Sequence, residues 1–496
     1  MKGKKKYLLI MLIAAFCLSA ASQNGQVLYY MKLPQNHLLN PAIRPSDKFY
    51  IGLPVVTGIN TEFGNNFFKI SDIAPSGTII DSSFIKKLDP ETLANRLKDK
   101  NSIATDASIQ LLGLGMSFGK DLYVFIDVVD RINSKGVFPR DLLALYMTGS
   151  ADFIGKTLDL SGLNIKAQYY REYGLGFSKN ITKKLRIGAK VKLLSGIASS
   201  SLDNRSFAIK VNTDSTLTVT PDSYLNISGK ETLNRVFTNN KILGGSDSTA
   251  TGDFKGFIFD YLKMPLSNFG LGLDIGAVYN LNKYLSFSAS VTDIGYISWK
   301  HDLKSYYSNK PYNMKGYSID YLVNHPDFSI ENFIDSLTKV IEGNYRDTVP
   351  KTFKTYLPMG VSAGVSINPL PFLSLGVLSN TKFFGGTVRE AVTLSANAYV
   401  GRIVTASLSY TMANYTYNNL GFGLGFKTGS IFQFYVIADK IPLDWGKVYV
   451  KKDNGDLSPG IPIPQKMNLF NLSFGMNIVF GKPITKKTDR PMIVVQ

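Results

Sequence analysis

Period-two alternation recurs along the whole chain, and it constrains the fold more than any other feature. In Asn468 to Phe480, NLFNLSFGMNIVF, the residues Phe470, Leu472, Phe474, Met476, Ile478 and Phe480 share one parity, while Asn471, Ser473, Gly475 and Asn477 share the other. A β-strand sends alternate side chains to opposite faces, so this is a strand with one fully apolar face. Phe269, Leu271, Leu273, Ile275, Ala277 and Tyr279 repeat the pattern, as do Leu285 to Val291, Val392 to Val400 and Leu420 to Phe426. The second face is built of Gly, Ser, Thr and Asn, with Leu194, Val278 and Leu378 among them, rather than the Lys and Glu of a solvated sheet. Such residues suit the crowded interior of a barrel, and they leave lipid as the cover for the apolar face.

Turn spacing extends the reading. Close connections fall at Gly119 to Asp121, Lys179 to Lys183, Leu281 to Lys283, Asn368 to Pro371, Gly401 to Arg402 and Thr428 to Ser430, which makes six hairpins. Between them lie mostly longer polar segments, near 131 to 164, 199 to 267, 299 to 354 and 441 to 466, with short ones near 384 to 387 and 413 to 417. A long segment, about 61 to 105, follows a first strand at about 48 to 60. Twelve hairpin strands, the first strand and the last, 467 to 480, total about fourteen, an even number that returns both termini to one side. Backbone groups in hydrocarbon must all be paired, so the expected fold is all-β: a closed, antiparallel, up-and-down transmembrane β-barrel. The stretch 204 to 228 also reads as extended, either as an outer hairpin or as further wall strands.

The N-terminus directs the chain to a membrane. Lys2, Lys4, Lys5 and Lys6 precede the apolar run Leu8 to Leu18 and the small residues Ser19 to Ser22, the pattern of a secretory signal peptide cleaved before Gln23. Bulky Phe16 before Cys17 suits plain removal rather than lipid attachment, and the mature chain then has no cysteine. No later stretch reaches eighteen uninterrupted apolar residues, so no transmembrane helix is expected. The expected organisation is a signal peptide at 1–22, a segment at 23–47 ahead of the first strand, the barrel at 48–480 and a periplasmic tail at 481–496. The expected location is the outer membrane of a Gram-negative bacterium. Taking the four leader lysines from the formal +18 leaves +14, an excess read as solvated loops or as contact with anionic headgroups or an acidic partner. No clustered basic helix or aromatic–basic array points to nucleic acid.

Short helices are expected in the outer loops. Asp89, Pro90 and Glu91 are an N-cap, a first-turn proline and a first-turn acid; further helices are read at Arg140 to Met147 and Glu331 to Ile341. Both tryptophans, Trp299 and Trp445, follow the outward end of a strand and are read as interfacial anchors. Asp293 falls on the parity of the apolar set Leu285 to Val291, so its strand must either leave the bilayer or bulge at Gly295. Phe480 is read as the terminal aromatic of the closing strand.

Catalytic signals are missing. His37, His301 and His325 have no partners at metal-ligand or triad spacing, and no HExxH, GxSxG or phosphate loop occurs. Acids such as Asp121 and Asp127 read as loop or lumen charges. No catalytic, metal or cofactor residue is assigned, and the chain is read as a non-enzyme.

The segment Leu33 to Asp47, LPQNHLLNPAIRPSD, stands just before strand one. Its Asn40-Pro41-Ala42 resembles the NPA element of FadL-type long-chain fatty-acid transporters and of the related PorV-like barrels of the type IX secretion system. With SVTDIGYISW, the whole chain looks like a family of outer-membrane barrels known only as a domain of unknown function. The resemblance implies a fourteen-stranded barrel whose N-terminal segment, 23–47, folds inside as a hatch, with Leu38, Leu39, Asn40, Pro41, Ala42 and Ile43 as candidates. Two functions follow. One is passive uptake or transfer of a small hydrophobic molecule past the hatch. The other is a non-enzymatic scaffold in outer-membrane lipid that binds a secreted or periplasmic protein. Apolar lumen positions favour the first, and a polar, filled lumen favours the second.

Overall fold

The computed structural model describes residues 26–31, 33–52, 57–81, 84, 89–214, 216–233, 261, 267–315, 346–401, 403–413, 416–428, 431–441, 443–451, 455–466 and 469–481. The leader at 1–22, the helix expected at 331–341 and the tail from 482 lie outside these residues.

Fourteen wall strands form one closed antiparallel ring. The first, β1, is in two pieces, Phe49–Gly52 and Gly58–Asn65; β2 is Lys100–Phe118, β3 Leu122–Pro139, β4 Asn164–Asn180 and β5 Leu185–Val211. β6 is Phe269–Asn280, β7 Leu285–Trp299, β8 Met359–Leu370, β9 Leu373–Phe384 and β10 Thr387–Val400. β11 is Val404–Ala413, β12 Thr416–Thr428, β13 Phe432–Ile441 and β14 Leu469–Phe480. Each wall strand pairs with its sequence neighbours, and β14 closes the ring on both pieces of β1, with Phe49 opposite Phe480 and Ile59 opposite Phe474. Closure gives every wall strand a paired neighbour on each side among the described residues, the condition for a sheet in hydrocarbon.

The burial pattern answers what covers the apolar face. Leu271, Leu273, Ile275 and Tyr279 of β6, Val392 and Leu394 of β10, Phe422, Leu424 and Phe426 of β12 and Phe474 and Phe480 of β14 are all exposed. Their opposite-parity neighbours Asp274, Thr393, Ser395, Asn397, Asn471, Ser473 and Asn477 are buried. A polar inside and an apolar outside invert a soluble sheet and define a membrane-spanning wall. Among the described residues no helix is long and apolar enough to cross a membrane.

All six expected hairpins close the short-turn end. At the other end β5 runs on for 27 residues in all and folds back through Thr216–Ser228, so the stretch 204 to 228 is a hairpin above the wall. Leu303–Ser308, Tyr312–Lys315 and Arg346–Thr348 extend that sheet. The Asp89 carboxylate caps the helix Pro90–Ala94 by accepting from Glu91 N at 3.1 Å, and the helix Arg140–Thr148 packs beside it. A second small sheet joins Trp445–Val450, Ile461–Pro464 and Ile79–Ile80.

Two strands depart from simple alternation. Gly52 and Gly58 of β1 lie opposite Gly113 and Gln110, so β1 places five residues where β2 places two. In β7 the bulge sits at Thr292 and Asp293 rather than at Gly295: these two residues face only Asp274, and Asp293 takes φ 59°. One extra residue reverses every side chain beyond it. Before the bulge Phe287 points out; after it Ile294 and Tyr296 point out, while Ile297 and Trp299 turn in and are fully buried.

That reversal corrects the reading of Trp299 as an interfacial anchor. Its indole packs with Tyr170, Leu194, Ile297 and Leu357, stacks on Phe353 and donates from Nε1 to Thr355 Oγ1 at 2.9 Å. Tyr296 and Tyr356, paired across the ladder and both exposed, with Lys354 Nζ 4.8 Å from the Tyr296 ring, take the boundary position instead. Trp445 is exposed, but on the small loop sheet rather than on the wall. Phe480 ends β14 with its ring stacked on Phe49, centroids 6.0 Å apart.

Candidate functional site in the barrel lumen

Residues 26–31 and 33–47 run inside the ring. They make two short 3-10 turns, Leu28–Tyr30 and Pro34–Leu38, and no strand. Their contacts go round the wall. Val27 N donates to Asp439 on β13 at 2.7 Å, and Thr393 on β10 donates to Gln26 at 2.8 Å. Tyr30 OH donates to Val377 O on β9 at 2.7 Å, and Tyr29 OH to Ser288 on β7 at 3.0 Å. Gln35 and Asn477 on β14 exchange amide hydrogen bonds at 2.7 and 3.0 Å. A short segment can touch β3, β4, β7, β9, β10, β13 and β14 only from the lumen.

The Asn40-Pro41-Ala42 element has a seat cut for it. Gly188 of β5 and Gly276 of β6 face each other across the ladder. A Cβ at Gly188 would lie 2.3 Å from the Pro41 carbonyl carbon, and one at Gly276 would lie 2.0 Å from Asn40 Oδ1. At Gly188 the close atoms are backbone and at Gly276 they are the Asn40 amide and the Pro41 ring, and only residues without a Cβ admit them. Asn40 Oδ1 accepts from Ala42 N at 2.9 Å, and Ser178 Oγ and Ser290 Oγ donate to the Ala42 and Leu39 carbonyls, each at 2.9 Å. Ala42 and Ile43 are buried with Tyr29, Tyr30, Val278 and Leu378, and Leu39 packs against them. Leu38 is half-buried beside this cluster's chain neighbours. A second apolar group, Val27, Met31, Leu33, Tyr435 and Ile437, lies across the lumen.

Toward the long-loop end a belt of buried charge crosses five strands. His37 Nε2 lies 3.0 and 2.9 Å from the two oxygens of Asp127 on β3. Asp127 also meets Lys190 Nζ at 3.2 Å and accepts from Gln110 at 2.7 Å. Glu172 on β4 binds Lys190 at 2.6 Å and Arg131 at 2.8 Å, and Lys192 reaches Asp274 at 2.8 Å and Asp293 at 2.6 Å. Charges buried this deeply persist only when paired, and each carboxylate here has a cation within reach. The bulge serves the belt: the left-handed turn at Asp293 aims inward a carboxylate that simple alternation would have placed in lipid.

Sequence reasoning missed this belt. Lys190 and Lys192 in GAKVKLLSG carry the signal, since basic residues at alternate positions of a lipid-facing strand must share the lumen side. His37 and Asp127 are 90 residues apart, a pairing no local pattern encodes. Asp121, the other acid considered, is exposed in a turn, where it accepts from Asn180 at 3.1 Å.

A sealed apolar exterior, a closed ring of fourteen strands and a lumen occupied by the chain's own N-terminal segment define a transmembrane β-barrel with an internally filled lumen. Residues 41–439 match the model of the family of unknown function DUF5723, and the chain belongs to that family. No curated protein matches it in sequence. Among solved structures it is similar to the toluene transporter TbuX of Ralstonia pickettii, at 9% identity over 93% of this chain and 99% of that one, with a TM-score of 0.41. The toluene transporter TodX of Pseudomonas putida gives 9%, 93%, 98% and 0.39, and a FadL homologue of Pseudomonas aeruginosa gives 9%, 94%, 97% and 0.40. Similarities at this level leave the function to be argued from the chain's own residues.

Proposed function

We propose that this is an outer-membrane channel for passive transfer of small hydrophobic molecules, and that residues 26–47 are its movable plug. The observation that carries this is the mode of attachment. Among the described residues the segment joins no β-ladder; it is held by side-chain hydrogen bonds and by packing on a glycine seat, so it can leave without breaking a wall. Its departure would uncover Val278 and Leu378 on one side of the lumen and Tyr435 and Ile437 on the other. Leu194, Leu357 and Trp299 form a further apolar patch beyond the charge belt. These patches are footholds for an apolar solute in an otherwise polar lumen.

The test staples the plug to the wall. Cysteines at Gln35 and Asn477, whose amide ends meet, would be bridged by a short reducible bis-methanethiosulfonate linker in a chain whose only native cysteine is Cys17. Uptake of an apolar dye by cells is expected to stop on cross-linking and return on reduction. Unchanged uptake with the staple closed would sink the movable plug.

A second reading, a non-enzymatic scaffold for a protein partner, is favoured by the polar, filled lumen and by the sheet above the wall. There Tyr224 and Tyr307 stack at 4.2 Å with Arg205 and Lys351 near the Tyr224 ring. Native mass spectrometry separates the two readings: a bound lipid or small apolar molecule supports the channel, and a stoichiometric protein with an empty lumen supports the scaffold.

A further inference from the structure

Opposite walls of the lumen touch on the long-loop side of the N-terminal segment. Asp106 is on β2 and Lys382 on β9, seven places apart in a ring of fourteen, yet their side chains form an ion pair. One strand further round, Lys135 Nζ on β3 donates to Thr387 Oγ1 on β10, again seven places apart. Of the charges here, Glu62 and Asp106 lie on β1 and β2, Lys382 and Arg389 on β9 and β10, and Lys135 on β3 beside the acids. Arg389 is 7% exposed and interacts electrostatically with both acids.

The geometry of β9 and β10 suits a moving part. They are joined by Gly385-Gly386, with φ of 58° and 74°, a tight turn at an end where most connections are much longer. Lys135 lies along Gly385, whose Cβ, if present, would be 3.4 Å from Lys135 Cδ. The N-terminal segment touches the same two strands nearer the short-turn end, at Val377 and Thr393. The cross-lumen pairs are therefore a separate layer. Contact between strands half a ring apart requires a flattened cross-section, and partly buried ion pairs contribute little net stability but fix one arrangement over another.

We propose that Asp106, Lys382, Lys135, Thr387 and Arg389 form a second gate, in which the β9–β10 hairpin closes the lumen from the long-loop side independently of the N-terminal segment. Opening it lets the ring relax toward a round section and admits solute to the space above that segment.

The experiment uses the full chain in the membrane with one reporter, Ser362→Cys. Ser362 is a buried lumen residue paired with Asn380, two residues below Lys382, and Cys17 is the only native cysteine. A membrane-impermeant thiol reagent is applied from the long-loop side. Labelling is expected to be slow in the parent and faster by about tenfold or more in Asp106→Lys and Lys382→Asp, because a broken pair shifts an open–closed equilibrium. It should be slow again in the double swap. Lys382→Gln, which removes the charge without reversing it, should also accelerate labelling while the barrel keeps its folded mobility in unheated gels. Equal rates in all variants, or a double swap as fast as the singles, would overturn the second gate. Neither result depends on whether the N-terminal segment moves, so the plug stands or falls separately.

Discussion

Replacing Gly188 by alanine places one methyl group under the Pro41 carbonyl, at 2.3 Å from both its carbon and its oxygen and 2.4 Å from Ala42 N. These are backbone atoms with no rotamer to yield, so either the strand or the segment must shift. Gly188 lies in ladders with Ser178 on one side and Gly276 on the other, whereas the segment has no ladder at all. The segment is held here by hydrogen bonds from Ser178 and Ser290 and from Asn40 to Ala289 O, each contributing about 1 kcal/mol net. Burial of Ile43 adds roughly 1.5–3 kcal/mol, for a local hold of about 5. Overpacking by one methyl costs about 1–3 kcal/mol, which raises the unseated fraction roughly 5- to 140-fold. Amide hydrogen exchange read by mass spectrometry should show peptides within 26–47 exchanging faster by that factor, with β5 and β6 unchanged. Gly272→Ala, whose nearest neighbours are the flexible ends of Lys192 and Leu357 at 3.2 and 3.3 Å, should leave the segment protected. Unchanged protection of 26–47 in Gly188→Ala, or equal loss in β5 and β6, would refute the seat.

Three further outcomes are expected. Leu193→Arg moves a positive charge one residue from Lys192 but onto the lipid face, and should lower folded stability in bilayers by roughly 2–4 kcal/mol in a urea titration, against a tolerated charge next door. His37→Ala removes a charge-assisted partner of Asp127 and should weaken the segment's attachment by about 1.5–3 kcal/mol, read as faster proteolysis between residues 26 and 47; adding Asp127→Asn to it should cost little more, and fully additive losses would mean that the two do not act as a pair. With Trp445 replaced by phenylalanine, Trp299 is the remaining tryptophan, and its emission should be blue-shifted and little quenched by brominated acyl chains; strong quenching would mean that the indole faces lipid.

The sequence by itself determined the class of the molecule. Alternation in β6, β10, β12 and β14 depends only on each strand's own residues, since a lipid face demands apolar side chains at every second place whatever the neighbouring strand contains. Six short turns, an even strand number and a capped helix behind Asp89 were legible for the same reason: each is a local choice. The Asn40-Pro41-Ala42 element marked the N-terminal segment, but its seat on Gly188 and Gly276 depends on which glycines the ring brings face to face. Only the tertiary structure decided the orientation of Trp299, because a single extra residue at Asp293 reverses parity for the rest of β7, and a bulge is set by the register of two strands together. The charge belt and the pair Asp106–Lys382 were likewise hidden. Their partners lie up to 276 residues apart and meet only because the ring closes and its opposite walls approach, so each charge alone read as an isolated lumen residue until its counter-charge was placed beside it.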